Sequence, residues 1–226
     1  MSREPSRTPG QPEGHHGFIP SSQEDVLRAR VKAELRKRMR GLRKAMPASA
    51  CAERSARIVE RLAVLEPLAR AGAVALFQPI EERHEVDLRR LGARLLEGGA
   101  RVAYPAADPE THEMVFRFVT TPQDLEPGAF GIVEPLPHCP EAAPGELDAI
   151  VVPALAADSR GHRIGYGAGF YDRALPRFAP PAATVVVVYD FQLLAEVPET
   201  PLDFASGWIV TDARTLEAEG RVDQER

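Results

Sequence analysis

The chain has 226 residues, 44% hydrophobic and 27% charged, with a formal net charge of -5, which suits one sizeable globular domain and is short for two. An acidic total argues against wholesale nucleic-acid binding, and no apolar stretch reaches the length of a membrane span. Cys51 and Cys139 are far apart and outside any Cys-x-x-Cys pair, the histidines lack helical ligand spacing, and no Gly-x-Ser-x-Gly elbow occurs, so disulfide-framework, zinc-site, metalloprotease and serine-hydrolase readings are poor.

Met1 to about Ser22 is rich in Pro, Gly, Ser, Arg and His, has almost nothing to bury and contains no apolar signal core. Residues 1–24 are therefore expected to be a disordered tail, and the compartment to be the cytoplasm. From Asp25 onward Val31, Leu35, Met39, Leu42 and Met46 recur every three or four residues, predicting a helix with one apolar stripe. The same helix carries Arg28, Arg30, Lys32, Arg36, Lys37, Arg38, Arg40, Arg43 and Lys44 against Asp25 and Glu34. Basic helix faces are ordinarily solvated. Here the repulsion costs about a few tenths of a kcal/mol per close pair, which a polyanionic ligand would relieve. Lys32 and Arg36, one turn apart on one side, are placed to reach one phosphate chain.

Ser49 to Arg70 reads as a second helix, with Ile58, Leu62, Leu65 and Leu68 facing the core. Ala71 to Phe77 suits a central strand, Val86 to Glu97 a helix stopped by Gly98-Gly99, and Ala100 to Tyr104 the next strand, an order that predicts parallel pairing. The intervening loop holds Glu81, Glu82 and Glu85, acidic groups that the dipole of the following helix would also favour. Met114 to Val119 alternates like a strand, and Gly128 to Pro144 is rich in turn formers. Ala149 to Leu155 and Thr184 to Tyr189 read as buried strands. Asp190 is a candidate cap for a short helix, Trp208 to Thr211 is a last strand, and residues 214–226 are a charged tail. These elements predict a single three-layer α/β domain over residues 25–213, with a mainly parallel central sheet flanked by helices.

The chemistry concentrates in Asp158 to Asp172, between the buried strand and a predicted helix over Tyr171 to Phe178. Gly165, Gly167 and Gly169 alternate with larger residues, so successive amides can face one concavity and cradle an anion, although such glycines also mark ordinary turns. Arg163 can pair with phosphate oxygens, Asp172 can hold a hard cation, and Phe170-Tyr171 can stack on a planar ring. The spacing matches neither the Walker pattern nor the dinucleotide fingerprint.

Arg163-Ile-Gly-Tyr-Gly-Ala-Gly-Phe-Tyr-Asp172, with Val152-Pro-Ala-Leu-Ala-Ala-Asp158 and Gly161-His-Arg163 ahead of it, resembles the signature of the 5-formyltetrahydrofolate cyclo-ligase family. The resemblance implies ATP-dependent closure of 5-formyltetrahydrofolate to the 5,10-methenyl form, with Mg2+ as cofactor. Lys32-Ala-Glu-Leu-Arg36 matches residues that contact ATP in the family, which implies ATP contacts from Lys32 and Arg36 together with Arg163, Ile164, Gly165, Tyr166, Gly167, Ala168, Gly169, Phe170 and Tyr171. Folate contacts are implied for Glu85 and for the shared wall Tyr166, Gly167, Ala168, Gly169 and Phe170. The loop around Glu85 is about two residues longer than the family pattern and has Leu88 where threonine is common, so Glu81 and Glu82 compete for its role. Magnesium falls to Asp172 and Asp203, the latter in a Leu202-Asp203 pair where His-Asp is usual. Phe130-Gly-Ile-Val-Glu-Pro135 resembles a segment expected to wrap over the site, with Ile132 and Glu134 as neighbours. No residue stands out as a general acid or base. The implied partners are the two substrates, with no nucleic acid and no membrane, and the protein is expected to be a monomer, with a dimer left open.

Overall fold

The computed structural model describes residues 22–108, 110–128 and 131–219, so the tail expected before residue 22 lies outside the described residues. Helix α1, Gln23–Ala45, starts where the Ser22 hydroxyl accepts the Asp25 amide at 3.2 Å, and it carries Glu24 and Asp25 in its first turn and Arg43 and Lys44 in its last. Those charges complement the helix dipole at both ends. The predicted second helix is two: α2, Ala48–Ala63, and a single turn α3, Glu66–Ala69, with Pro67 at its start. Proline fits the first turn of a helix but removes a donor from the interior of a continuous one.

Strands β1 (Ala73–Ala75), β2 (Arg101–Ala107) and β3 (Met114–Val119) build one half of the sheet, with α4 (Arg89–Glu97) joining the first two. After a hairpin of β4 (Leu125–Pro127) and β5 (Val133–Pro135), β6 (Ala149–Pro153) returns to the centre of the sheet. A second hairpin, β7 (Ala156–Ala157) with β8 (Arg163–Ile164), precedes α5 (Phe170–Ala174). Strands β9 (Ala183–Val187), β10 (Trp208–Val210) and β11 (Thr215–Glu217) complete it. The order is β11-β10-β9-β6-β1-β2-β3, with the five inner strands parallel and the two edge strands antiparallel.

Side chains alternate across β1 and β6. Val74, Leu76 and Val151 point to the face covered by Ile58, Val59 and Leu62 of α2 and by Leu91 of α4. Ala73, Ala75, Ile150 and Val152 point to the face covered by Ala174 of α5 and by Leu175 and Phe178 beyond it. The three layers follow from this period of two. Each fully buried Leu, Ile or Phe contributes about 1.5–3 kcal/mol.

Four predicted boundaries shift. Helix α4 begins at Arg89 rather than Val86, because the Asp87 carboxylate accepts the Arg89 amide at 2.9 Å and fixes a local turn ahead of it. The helix predicted to Phe178 ends at Ala174 and continues as a 3-10 turn, Leu175–Arg177, where Pro176 has no amide to donate. Asp190 does not cap its short turn: Tyr189 holds that position, and the Asp190 carboxylate binds the Thr211 hydroxyl and the Arg214 guanidinium, each at 2.8 Å. Within the segment read as a charged tail, Thr215–Glu217 pairs with Trp208–Val210 as an edge strand.

Candidate active site

β1 pairs with β2 on one side and β6 on the other, so the chain leaves β1 and β6 in opposite directions. The crevice at such a switch point is where open α/β sheets place ligands. The loop that contains Glu85 follows β1, and the glycine stretch follows β6 through the β7–β8 hairpin.

Helix α1 closes over this crevice with a face rotated from the expected stripe: Leu35, Met39 and Met46 of that stripe pack inward, but Val31 and Leu42 do not. Val31 and Leu42 are 39% and 45% exposed, whereas Met39 is 2%, Arg43 3% and Lys32 9% exposed. Lys32, Arg36, Met39 and Arg43 are spaced four, three and four residues apart and form one helical face. What they meet is rich in acceptors, so cations and not aliphatic groups satisfy it. Lys32 Nζ donates to Asp203 Oδ2 at 2.5 Å, Arg36 Nε to the Gly165 carbonyl at 2.9 Å, and Arg43 to the Arg83 carbonyl at 2.8 Å. Met39 packs with Leu155, Ala156 and Ile164 beneath them.

The glycines have different reasons to be there. Gly167 (φ +109°) and Gly169 (φ +70°) occupy the left-handed region, and a Cβ on Gly167 would sit 3.6 Å from the Arg36 guanidinium. Among the described residues, the amides of Tyr166, Gly167, Ala168 and Gly169 donate to no protein acceptor. Such donors on an open turn, beside the Arg36 guanidinium, have the geometry to cradle an anion. Ile164, by contrast, buries its side chain in the core, and its carbonyl accepts the Leu155 amide. Phe170 lies at the rim, 6.1 Å between ring centroids from His112.

Arg163 is a brace. Its side chain is buried, and it donates to Asp172 Oδ1 at 2.6 Å and to the Phe204 carbonyl at 2.5 Å, while the Phe204 amide donates to the same Asp172 oxygen at 3.2 Å. This ties Asp172 to the residue next to Asp203. The Asp203 carboxylate is itself held by the Thr200 amide at 2.6 Å and hydroxyl at 3.1 Å, all on Oδ2. Asp172 Oδ2 and Asp203 Oδ1 accept no hydrogen bond among the described residues. Two braced carboxylates, each with one oxygen that accepts no hydrogen bond among the described residues, are of the donor type that a hard cation such as magnesium prefers. The family-usual histidine is replaced by Leu202, which is exposed and makes no polar demand.

Of the three competing glutamates, Glu85 alone turns inward. Glu81 pairs with Arg89 at the surface and Glu82 is exposed, whereas Glu85 is 8% exposed. Its Oε1 accepts the Tyr166 hydroxyl at 2.6 Å and lies 3.4 Å from Arg43, and its Oε2 accepts the Ile80 amide at 3.1 Å. Burial, then the Glu85 charge, pushes the Tyr166 hydroxyl up to about 12. The Tyr171 hydroxyl is buried with no hydrogen-bond partner among the described residues, and burial followed by the Glu85 charge, opposed by Arg163, raises its pKa. Arg43 and the Tyr166 hydroxyl are thus contacts of Glu85 within the crevice. The helical spacing from Lys32 was the signal for Arg43. Glu134 of β5 accepts the Ala107 amide at the end of β2 at 3.4 Å.

A family model for the 5-formyltetrahydrofolate cyclo-ligase family matches residues 28–212. The 5-formyltetrahydrofolate cyclo-ligase of Mycolicibacterium smegmatis is 41% identical over 128 residues, covering 55% of this chain and 66% of that one, just under two thirds of its length. The Escherichia coli K12 cyclo-ligase is 28% identical over 160 residues, covering 70% and 87%. The solved structure of Aquifex aeolicus 5,10-methenyltetrahydrofolate synthetase superposes with a TM-score of 0.74 at 30% identity, over 87% of this chain and 97% of that one. With the matched region running from the basic helix to the last parallel strand, the chain belongs to the 5-formyltetrahydrofolate cyclo-ligase family.

Proposed function

We propose that this protein closes 5-formyltetrahydrofolate to 5,10-methenyltetrahydrofolate, coupled to conversion of ATP to ADP and phosphate. The observation that carries the reading is the docking of the basic face of α1 on the glycine stretch, which gathers Lys32, Arg36, four unpaired amides and two braced aspartates in one crevice. An amide-like formyl oxygen is a poor leaving group. In the first step it attacks the γ-phosphorus and ADP departs; in the second N10 attacks the activated carbon, gives up its proton to the departing phosphate oxygen, and that oxygen leaves as phosphate.

Such chemistry needs positioning and charge neutralisation more than a protein nucleophile. Lys32 and Arg36 neutralise the triphosphate, and the amides of Tyr166 to Gly169 bind its oxygens. Arg163 acts from behind, holding Asp172 and the Phe204 segment in register. Magnesium, held by Asp172 and Asp203, would supply charge neutralisation of the phosphates. Glu85 takes the folate on the far side of the glycine stretch, which makes that stretch the wall between the two substrates. The same reading has the protein act as a cytoplasmic monomer without nucleic acid; no described helix is long and apolar enough to cross a membrane.

The test is to mix the purified chain with Mg-ATP and 5-formyltetrahydrofolate and to follow the near-ultraviolet band of the methenyl product. The band should grow with ATP and not without it. Its absence, while a known cyclo-ligase is active in the same buffer, rejects the proposal.

A further inference from the structure

We infer that Arg43 is a positioning residue for the folate side of the site, orienting Glu85 chiefly through the Tyr166 hydroxyl; the inference rests on the assignment of Glu85 to folate made above. Arg43 and Glu85 are both buried, and opposite charges persist in such a place only when their remaining hydrogen-bonding groups are also satisfied. Here they are. Arg43 Nε donates to the Arg83 carbonyl, and its NH2 group donates to the Tyr166 oxygen in a very short contact. The Tyr166 hydroxyl donates its own proton to Glu85 Oε1 at 2.6 Å. The direct Arg43–Glu85 approach, at 3.4 Å, is the weaker path, so the tyrosine carries most of the coupling.

Arg43 also grips the whole loop. Its side chain binds the Arg83 carbonyl, and its own carbonyl accepts His84 Nδ1 at 2.9 Å, where His84 adopts φ +49°. The Arg83 guanidinium in turn lies 4.8 Å from the centroid of the Tyr166 ring. A loop longer than the family pattern is thereby fastened to α1 at consecutive residues, just before Glu85.

Counting lone pairs defines what Glu85 has left to offer. Oε1 receives Tyr166 and Arg43, and Oε2 receives Ile80, which leaves one acceptor direction on Oε2. That direction suits a single N–H of a planar heterocycle, and the Arg43–Tyr166 pair decides where it points.

The test is steady-state kinetics on the full chain for Arg43→Met, Arg43→Lys, Tyr166→Phe, Glu85→Gln and the Arg43→Met/Glu85→Gln double variant. Arg43→Met and Tyr166→Phe should each raise KM for the folate at least tenfold and leave KM for ATP within twofold. Arg43→Lys should fall between, and the double variant should be no worse than Glu85→Gln alone, as expected when two residues act on one contact. If Arg43→Met fails to fold, Tyr166→Phe and Arg43→Lys carry the same comparison. An unchanged folate KM in Tyr166→Phe and Arg43→Lys, or folate and ATP KM rising together, overturns the inference while leaving the activity standing. A wild-type chain that makes no methenyl product removes the activity and the inference with it.

Discussion

Lys32 and Asp203 are 171 residues apart in sequence, yet Lys32 Nζ meets Asp203 Oδ2 at 2.5 Å, with side chains only 11% and 19% exposed. The pair joins the first described helix to the loop before the last parallel strand, and it sets the cation beside the oxygen assigned to magnesium. Replacing Lys32 by Met should therefore act on both stability and ATP. Asp203 Oδ2 keeps its two Thr200 donors, so the stability loss should be about 1–3 kcal/mol, below that of a fully orphaned buried charge. KM for ATP should rise tenfold or more and KM for the folate by less than twofold. Urea melts and two-substrate kinetics read the two effects separately; a larger change on the folate side would place Lys32 with the wrong substrate.

In the proposed mechanism Asp172 would combine a structural and a metal-binding role in one side chain. Its Oδ1 accepts from Arg163 and from the Phe204 amide, and an asparagine oxygen can accept both. Asp172→Asn should thus fold, although Arg163 loses its anionic partner. The charge at Oδ2 disappears, and a hard cation binds a neutral amide less tightly than a carboxylate. The magnesium concentration for half-maximal activity should rise at least tenfold, read by titration at fixed total ATP. An unchanged magnesium requirement would remove Asp172 from the metal site.

The inner strands were legible because each is an uninterrupted apolar run bounded by turn formers, as in Ala149–Pro153 and Ala183–Val187. Edge strand Thr215–Glu217 was not, since a three-residue strand in a charged segment has no periodicity to detect. The glycine stretch stood out in sequence by its alternate glycines, and two of them, Gly167 and Gly169, do adopt the left-handed conformation that requires glycine. The buried face of α1 did not stand out, because apolar spacing weighs Val31 and Leu42 equally with Met39 and assumes an aliphatic docking surface. The true surface offers the Gly165 and Arg83 carbonyls and the Asp203 and Glu85 carboxylates. Nor was the inward turn of Glu85 over Glu81 readable, because it depends on the Ile80 amide and the Tyr166 hydroxyl, one local and one distant.

Gly161 tests the support of the aspartate loop from a distance. It adopts φ +84°, and a Cβ there would lie 2.0 Å from the Ser206 carbonyl oxygen, with the Ser206 amide already bonded to the Gly161 carbonyl at 2.9 Å. Neither backbone has room to give. Gly161→Ala should destabilise by about 3 kcal/mol or more, the sum of left-handed strain and a backbone clash. The displacement runs toward Phe204 and Asp203, so surviving folded protein should also need more magnesium. Thermal melts within the error of the wild type would show that the two backbones are not in this contact.

The Tyr171 hydroxyl is buried without a hydrogen-bond partner among the described residues, in the field of Glu85 and Arg163. An unsatisfied buried hydroxyl costs roughly 1–3 kcal/mol, so a phenylalanine in its place should leave the free protein equally stable or more so. The ring itself packs 6.5 Å between centroids from Phe116, and that contact survives the change. If the hydroxyl is kept to donate to a substrate oxygen as charge develops there, Tyr171→Phe should lower kcat/KM at least tenfold, equivalent to about 1.4 kcal/mol of lost transition-state stabilisation. Stability and activity are then expected to move in opposite directions, which a packing residue would not do. Full activity in a stabilised Tyr171→Phe variant would reduce the hydroxyl to an unpaired group with no part in the reaction.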